Sequence, residues 1–427
     1  MQIKNGVDAK LEDYFTHLLQ IPLNKVTAPP GPTVIIIDAL DELTVEQRAK
    51  IIDLILKCLH LLPVWVKLLI TSRPEKDIVD ALVSYKPVKI EDTDPNHVQD
   101  LKQYVEEELR AKVGEGDLKA AVDIFMAKSE GKFIYAAYVI KVTIRHGDKF
   151  SLNQLQSALP DGMDKVYETN FVRMVESLKS KKPTDKAADL LLPLLQLLTV
   201  SREPMSVEFV AQLLDASESD MVKLISVVAP AFPLRTDSAG VRRFYPYHKS
   251  VVDWLLKDKD SAKSALFNLE VSACHALAAT KLTQLIKGYG SPAWMLPSSC
   301  NYLYTHLLDH LHLADRDSEL TEFVFRLDWL QKALAIRGAN EFCKDLVRYQ
   351  GYLPDAELKV LIATVKLSIH VLRVSRAVIF VYLAIISRLL MLTYCTVNMA
   401  EKYRVSGPAD LWPPAPESGQ HNGADLH

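Results

Sequence analysis

The run Val34-Ile35-Ile36-Ile37-Asp38 constrains this chain more than any other feature. Four consecutive β-branched residues without polar alternation read as a strand covered on both faces, the pattern of a parallel sheet. Downstream, Thr44-Val45-Glu46-Gln47 fits a capping box, in which the threonine and glutamine satisfy each other's backbone donors. It opens a helix running to about Leu62, and Pro63 stops it. Lys67-Leu68-Leu69-Ile70 is a second buried strand that ends at Thr71-Ser72-Arg73-Pro74. Strand, helix and strand within roughly 40 residues make a βαβ unit and hence a parallel pair. Val88–Ile90 is a candidate third, shorter strand.

The flanking segments are helical. Residues 8–26 place Leu11, Phe15, Leu18 and Leu19 at helical spacing, and Ala28–Pro32 (APPGP) breaks that helix from the first strand. From Asn96 onward Leu101, Val105 and Leu109 form one apolar stripe, and Val122, Phe125 and Met126 another. Gly131 precedes the apolar run Phe133–Val142, Ser177–Asp185 reads as a charged linker, and Leu190–Leu198 as a strongly apolar helix. Residues 199–256 follow a different grammar: helices at Ser206–Leu214 and Ser217–Val228, strands at Phe232–Leu234 and Arg243–Tyr247 around Asp237-Ser238-Ala239-Gly240, then a helix at Lys249–Leu256. Two helices, a hairpin and a helix suggest a winged-helix module. Residues 262–402 read as helix with breaks at Pro292, Pro297 and Pro354 and no clean repeat period, and the Pro-, Gly- and Ser-rich tail from Ser406 reads as disordered. The fold class is α/β followed by mainly α.

Composition narrows the function. At roughly 100–200 residues per domain, 427 residues imply two to four domains. A chain 49% hydrophobic and 24% charged is neither collagen-like, nor a disulfide scaffold, nor disordered throughout. A net charge of −3 argues against a chain built mainly to bind nucleic acid. The candidate recognition helix Ser217–Val228 carries only Lys223, and Arg242 and Arg243 on the wing are too few for phosphate contacts, so packing is the expected role. Five scattered cysteines without a CxxC pair point to a reducing compartment, and the first residues lack the apolar region of a secretory leader. A cytoplasmic location is therefore expected. The alternative is membrane association through residues 377–400, which hold one charge, Arg388, and are long enough to span a bilayer. A buried helix closing the helical array is the preferred reading of that segment.

In an open parallel sheet, ligands sit beyond the carboxyl ends of the strands. Here those ends carry Asp38, followed by Asp41 and Glu42, and Thr71-Ser72-Arg73. One carboxylate at such a rim can hold Mg²⁺, a second acid can orient a water, and an arginine can sense a γ-phosphate, which is the chemistry of phosphoryl transfer. Elsewhere, His306 and His310 form an HxxxH pair with His312 nearby, but without further ligands a solvated or half-buried helix face is expected there rather than zinc.

VIIIDALDE followed by LLITSRPE closely resembles the Walker B and sensor 1 motifs of NACHT-type STAND NTPases. Ser129–Ala136 (SEGKFIYA) resembles the family's helical-lid motif, Leu159–Tyr167 (LPDGMDKVY) the segment before its next helix, and Tyr247–Leu255 (YHKSVVDWL) the end of its winged-helix domain. The flavour is similar to TANC and nephrocystin-like NACHT proteins, over residues 10–315. The resemblance implies a partial NACHT nucleotide-binding core at 1–95, a helical lid at 96–185, a winged helix at 186–258, a helical domain at 259–404 and a tail at 405–427. It implies ATP or ADP with Mg²⁺ as cofactors, Asp38 on the metal, Asp41 and Glu42 orienting water, Ser72 and Arg73 at the nucleotide, and His248 at the β-phosphate of ADP. A plain helix cap is the other reading of His248. Protein partners, and an oligomer, fit such a signalling switch. The departure is the Walker A loop, GxxxxGK[ST], whose backbone N–H groups and lysine cradle phosphates. No such sequence occurs, and the 33 residues before the first strand contain just Gly6 and Gly31. The chain thus reads as a NACHT module without its first βα unit, either a truncated product or a degenerate relative, with weak or absent ATP binding. It reads as a regulatory scaffold or a pseudo-NTPase interaction module, not a metabolic enzyme.

Overall fold

A computed structural model of the chain describes residues 10–142, 150–178, 186–257, 265–288 and 301–353, with 357–359, 361–363 and 365–366 beyond them. Several expectations fall outside these residues: the linker beyond residue 178, the proline breaks at 292, 297 and 354, the apolar segment 377–400 and the tail. Among the described residues no helix is long and apolar enough to cross a membrane. The described chain is mostly helical with a small parallel sheet, and it divides into two compact units, Met1–Ala136 and Ala137–His427.

The first unit opens with α1 (Leu11–Phe15), a π-helical turn at Thr16–Gln20 and α2 (Ile21–Lys25), so residues 11–25 are helical as expected. After the proline-rich break come β1 (Thr33–Ile37), α3 (Val45–Cys58), β2 (Val66–Ile70) and α4 (Lys76–Leu82). The strands pair in parallel, with Thr33 opposite Val66 and Ile37 opposite Ile70. The capping box forms: Thr44 Oγ1 accepts from the Gln47 N–H at 3.3 Å, and the Thr44 N–H donates to Gln47 Oε1 at 3.2 Å. Leu40, Ile52 and Ile78 make the core of this α/β part, with Ile37 and Ile70 packed against it.

The structure corrects two expectations here. β1 is not covered on both faces: Val34 is 48% exposed, Ile36 63% and, on β2, Leu69 51%. Among the described residues the sheet has only two strands, and α3 and α4 cover just the face that carries Ile37 and Ile70. Val88–Ile90 is not a strand, and Val88 and Ile90 stand 90% and 79% exposed. Composition alone makes no strand where no ladder partner lies alongside.

The unit continues with α5 (Pro95–Leu109), α6 (Leu118–Ser129) and the start of α7 (Phe133–Val142). Asp94 caps α5 by accepting from the N–H groups of Asn96 and His97, at 2.9 and 3.3 Å. Leu101, Val105 and Leu109 are fully buried, as their spacing predicts, and α6 buries Val122 and Phe125 in turn. Gly131 sits at φ +75°, and a Cβ there would fall 2.6 Å from the Asp92 carbonyl oxygen. The turn is pinned where His97 Nε2 donates to the Gly131 carbonyl at 2.7 Å.

The second unit holds the rest of α7, then α8 (Leu152–Ala158), α9 (Gly162–Leu178), α10 (Ala187–Val200), α11 (Val207–Leu214), α12 (Glu218–Val228), β3 (Leu234–Thr236), β4 (Arg242–Phe244) and α13 (Lys249–Leu256). β3 and β4 form an antiparallel hairpin. Asp237 organises its turn: Oδ1 accepts from the Ala239 and Val241 N–H groups, both at 2.9 Å, and Oδ2 from Arg243 Nε at 2.8 Å. Aromatic rings fill the core between α9 and α13. Phe171 stacks on Trp254 at 5.1 Å and 9°, Phe267 leans on both, and Tyr138 meets Tyr167 and Tyr247 edge-on.

Five further helices follow: α14 (Val271–Gly288), α15 (Asn301–Leu313), α16 (Asp317–Phe325), α17 (Leu327–Arg337) and α18 (Ala339–Arg348). The sequence reading missed the short breaks between α15 and α18. One of them is the left-handed Gly338, at φ +76°. His306 and His312 are half-buried, as expected, but His310 is fully buried rather than on a solvated or half-buried face, because Tyr302 and His275 supply it with hydrogen-bond partners.

Candidate functional site

The candidate site is the rim where β1 and β2 end. The ladder continues one step past the strands: the Thr71 N–H donates to the Ile37 carbonyl at 3.0 Å and the Leu40 N–H to the Thr71 carbonyl at 2.9 Å. These two bonds hold the Asp38–Glu42 loop against Thr71-Ser72-Arg73. Leu40 anchors the loop by dropping, fully buried, into the core beside Ile52 and Ile78. The two residues after it turn in different directions. Asp41 is 5% exposed, whereas Glu42 lies in solvent.

Asp38 also faces solvent, with Oδ1 accepting from the Thr71 hydroxyl. Asp41 points inward, where its Oδ1 accepts from the Arg73 backbone N–H at 3.0 Å and lies 3.5 Å from Ser72 Oγ. Its Oδ2 is 3.7 Å from Arg73 Nε. The Asp41 carbonyl accepts from Arg48 Nη1 at 3.4 Å, while Arg48 Nε donates to Asp77 at 2.7 Å. A buried arginine on α3 thus ties the Asp38–Glu42 loop to α4. Sequence reasoning overlooked Arg48, whose only signal is a cation on the helix face one turn before the core residue Ile52.

The rim brings together Asp38, Asp41, Glu42, Ser72 and Arg73. His248 belongs to the second unit, where it caps α13: its Nδ1 accepts from the Ser250 N–H at 3.2 Å, which leaves the ring proton on Nε2. Ser250 Oγ lies 2.7 Å from the same Nδ1 and 2.8 Å from the Tyr167 hydroxyl. Burial pushes the Tyr167 phenol up to about 12, so it stays neutral across the working range of most proteins.

The part of the rim that could hold Mg²⁺ is Asp38 beside the Thr71 hydroxyl. An exposed carboxylate beside a hydroxyl suits an ion that takes one or two carboxylates and completes its shell with water. Phosphates need outward backbone N–H groups, and here the N–H groups of Leu40, Glu42, Leu43, Thr71 and Arg73 all bond within the protein. Those five N–H groups are therefore already engaged and do not point out toward a phosphate. Among the described residues, no group of three or more His, Cys, Asp or Glu side chains is arranged to hold a metal ion.

Comparison with known proteins adds two partial matches. The family profile of the APAF-1 helical domain matches residues 279–387, and that of the nephrocystin 3 N-terminal region matches residues 2–73. The first covers α15–α18; the second covers β1, α3, β2 and the rim up to Arg73. Neither spans half of the chain. No curated protein matches it. The two profiles suggest a STAND- or NACHT-like family, and the APAF-1 match is consistent with a STAND-like signalling scaffold.

Proposed function

We propose that this chain is a STAND-type regulatory scaffold of NACHT ancestry whose nucleotide rim keeps its form but binds nucleotide poorly. The observation that carries the reading is the juxtaposition of Asp38, Asp41 and Glu42 with Ser72 and Arg73 beyond a parallel strand pair. In this reading that pair is what remains of Walker B and sensor 1, residues 96–185 are a helical lid, 186–258 a winged helix and 259–404 a helical domain. Asp38 is the residue that would hold Mg²⁺, Glu42 is the acid turned to solvent, and His248 is the ancestral ADP contact. A bound Mg-nucleotide would supply the charge that shifts such a module between closed and open arrangements. Protein partners reading the helical surfaces complete the function, in the cytoplasm.

Titration of the purified chain with fluorescent ATP and ADP in the presence of Mg²⁺ tests the reading. No saturable binding below millimolar nucleotide is expected. Saturable binding that an Asp38→Ala, His248→Ala double variant abolishes would overturn the impairment and restore a working switch.

A second reading has its own observation. Arg73 and Asp41 engage one another, which takes an arginine and an acid away from any phosphate. On that basis the chain is a pseudo-NTPase interaction module in which the rim is purely structural. The two readings part on Asp38→Ala alone. The variant alters Mg²⁺-dependent behaviour in the first and changes nothing in the second.

A further inference from the structure

A chain of buried polar groups joins α14, α15 and the loop after α10. Tyr302 is 4% exposed, His275 4% and His310 0%. The Arg202 N–H donates to the Tyr302 hydroxyl oxygen at 3.1 Å, the same oxygen lies 2.9 Å from His310 Nε2, and His310 Nδ1 lies 2.8 Å from His275 Nδ1. Each contact needs one proton and one lone pair.

Counting protons leaves one arrangement. The Tyr302 oxygen already accepts from Arg202, so its own proton needs an acceptor, and His310 Nε2 is the one in reach. His310 must then carry its proton on Nδ1 and donate to His275 Nδ1, which fixes the His275 proton on Nε2. The opposite direction strands the tyrosine proton in a buried site, where an unmet donor costs roughly 1–3 kcal/mol. A proton added to either ring leaves one buried donor, an N–H or the Tyr302 O–H, without an acceptor, so the chain is fully paired only with neutral histidines.

The surroundings enforce the same state. Burial first, then Arg202, holds His275 down to about 4. Burial, then His275, Arg202 and His306, holds His310 down to about 3. Asp309 pulls both the other way, but it is itself engaged. Tyr349 donates to it at 2.5 Å, Arg348 lies at 3.1 Å, and His306 Nδ1 stands 3.8 Å away. From the same loop as Arg202, Glu203 faces His306 at 3.8 Å. Arg316 contacts the α14 backbone through the Ala276 carbonyl, and Arg337 and Asp345 pair with each other beyond Asp309.

We propose that Tyr302, His310 and His275 form a latch that fixes the loop after α10 to the α14–α15 pair while both histidines are neutral, and releases it when either takes up a proton. Histidines whose closed-state affinity for protons is depressed stabilise the closed form above their ordinary titration point and lose that contribution as pH falls through it. Between pH 7.5 and 5 the opening equilibrium rises roughly 30-fold for one histidine and several hundred-fold for the pair.

Two measurements on the full chain test the latch. Long-range ¹⁵N–¹H spectra of histidine-labelled protein at pH 7.5 should show His310 protonated on Nδ1 and His275 on Nε2. Hydrogen exchange should show the protection of the Arg202 amide falling several hundred-fold from pH 7.5 to 5. In His275→Asn, which keeps an acceptor without a titrating ring, the fall should shrink to roughly 30-fold. In His306→Asn it should stay at the wild-type value. A charged His310, a His310 proton on Nε2, or Arg202 protection that does not change with pH would each overturn the proposal. The wild-type measurements decide it alone if a variant fails to fold.

Discussion

The two units solve the burial problem to different degrees. In the second, Phe171, Trp254 and Phe267 interlock and α14 and α15 bury Cys274, Ala278, Leu307 and Leu311, so the apolar residues that the sequence offers go inside. In the α/β part of the first, an equally apolar strand leaves Val34, Ile36 and Leu69 facing water while one shallow core under Leu40 holds the rim. The contrast shows that a strand's composition sets its appetite for cover, and its neighbours decide whether that appetite is met. It also shows why the rim keeps its shape: the loop is held by Leu40, Asp41 and Arg48, not by the sheet's second face.

The contrast can be broken by substitution. Trp254→Ala should have the largest effect. Removing a stacked, 4% exposed indole should destabilise the second unit by about 3–5 kcal/mol in denaturant unfolding. Leu40→Ala comes next, at about 2–3 kcal/mol for the first unit, because its half-buried neighbours can partly collapse into the gap. Asp41→Asn should cost about 1–3 kcal/mol by weakening the carboxylate's hold on the Arg73 N–H and guanidinium, and limited proteolysis should then cut more readily near residues 71–75. Ile36→Lys should be nearly neutral, within about 0.5 kcal/mol, since the side chain is already in solvent. A loss of several kcal/mol for Ile36→Lys would mean that the open face is covered in solution and that the contrast is false.

How far the sequence could be read follows from the same physics. The βαβ unit, the Thr44 capping box, the α5 stripe and the two short helices near Ser206 and Ser217 were legible because each is set by residues within a turn or two. The rim was legible as a set of residue types at two strand ends. Its inner order was not. Nothing local says that Asp41 turns inward while Asp38 and Glu42 turn out, because Leu40 decides that by entering a core built from α3 and α4. The same holds for His310, whose partner His275 is 35 residues away on another helix. Spacing within α15 could show only that His306 and His310 share a face.

The rim satisfies itself without a nucleotide. Hydrogen exchange at the Arg73 amide tests it most directly, because that N–H reaches the Asp41 carboxylate in the described structure. The amide should be protected in the free chain, should lose protection in Asp41→Ala and only part of it in Asp41→Asn, and should exchange at an unchanged rate when millimolar Mg-ADP or Mg-ATP is added. An Arg73 amide that is unprotected in the free chain and becomes protected on adding nucleotide would mean that the rim is completed by phosphate instead of by Asp41.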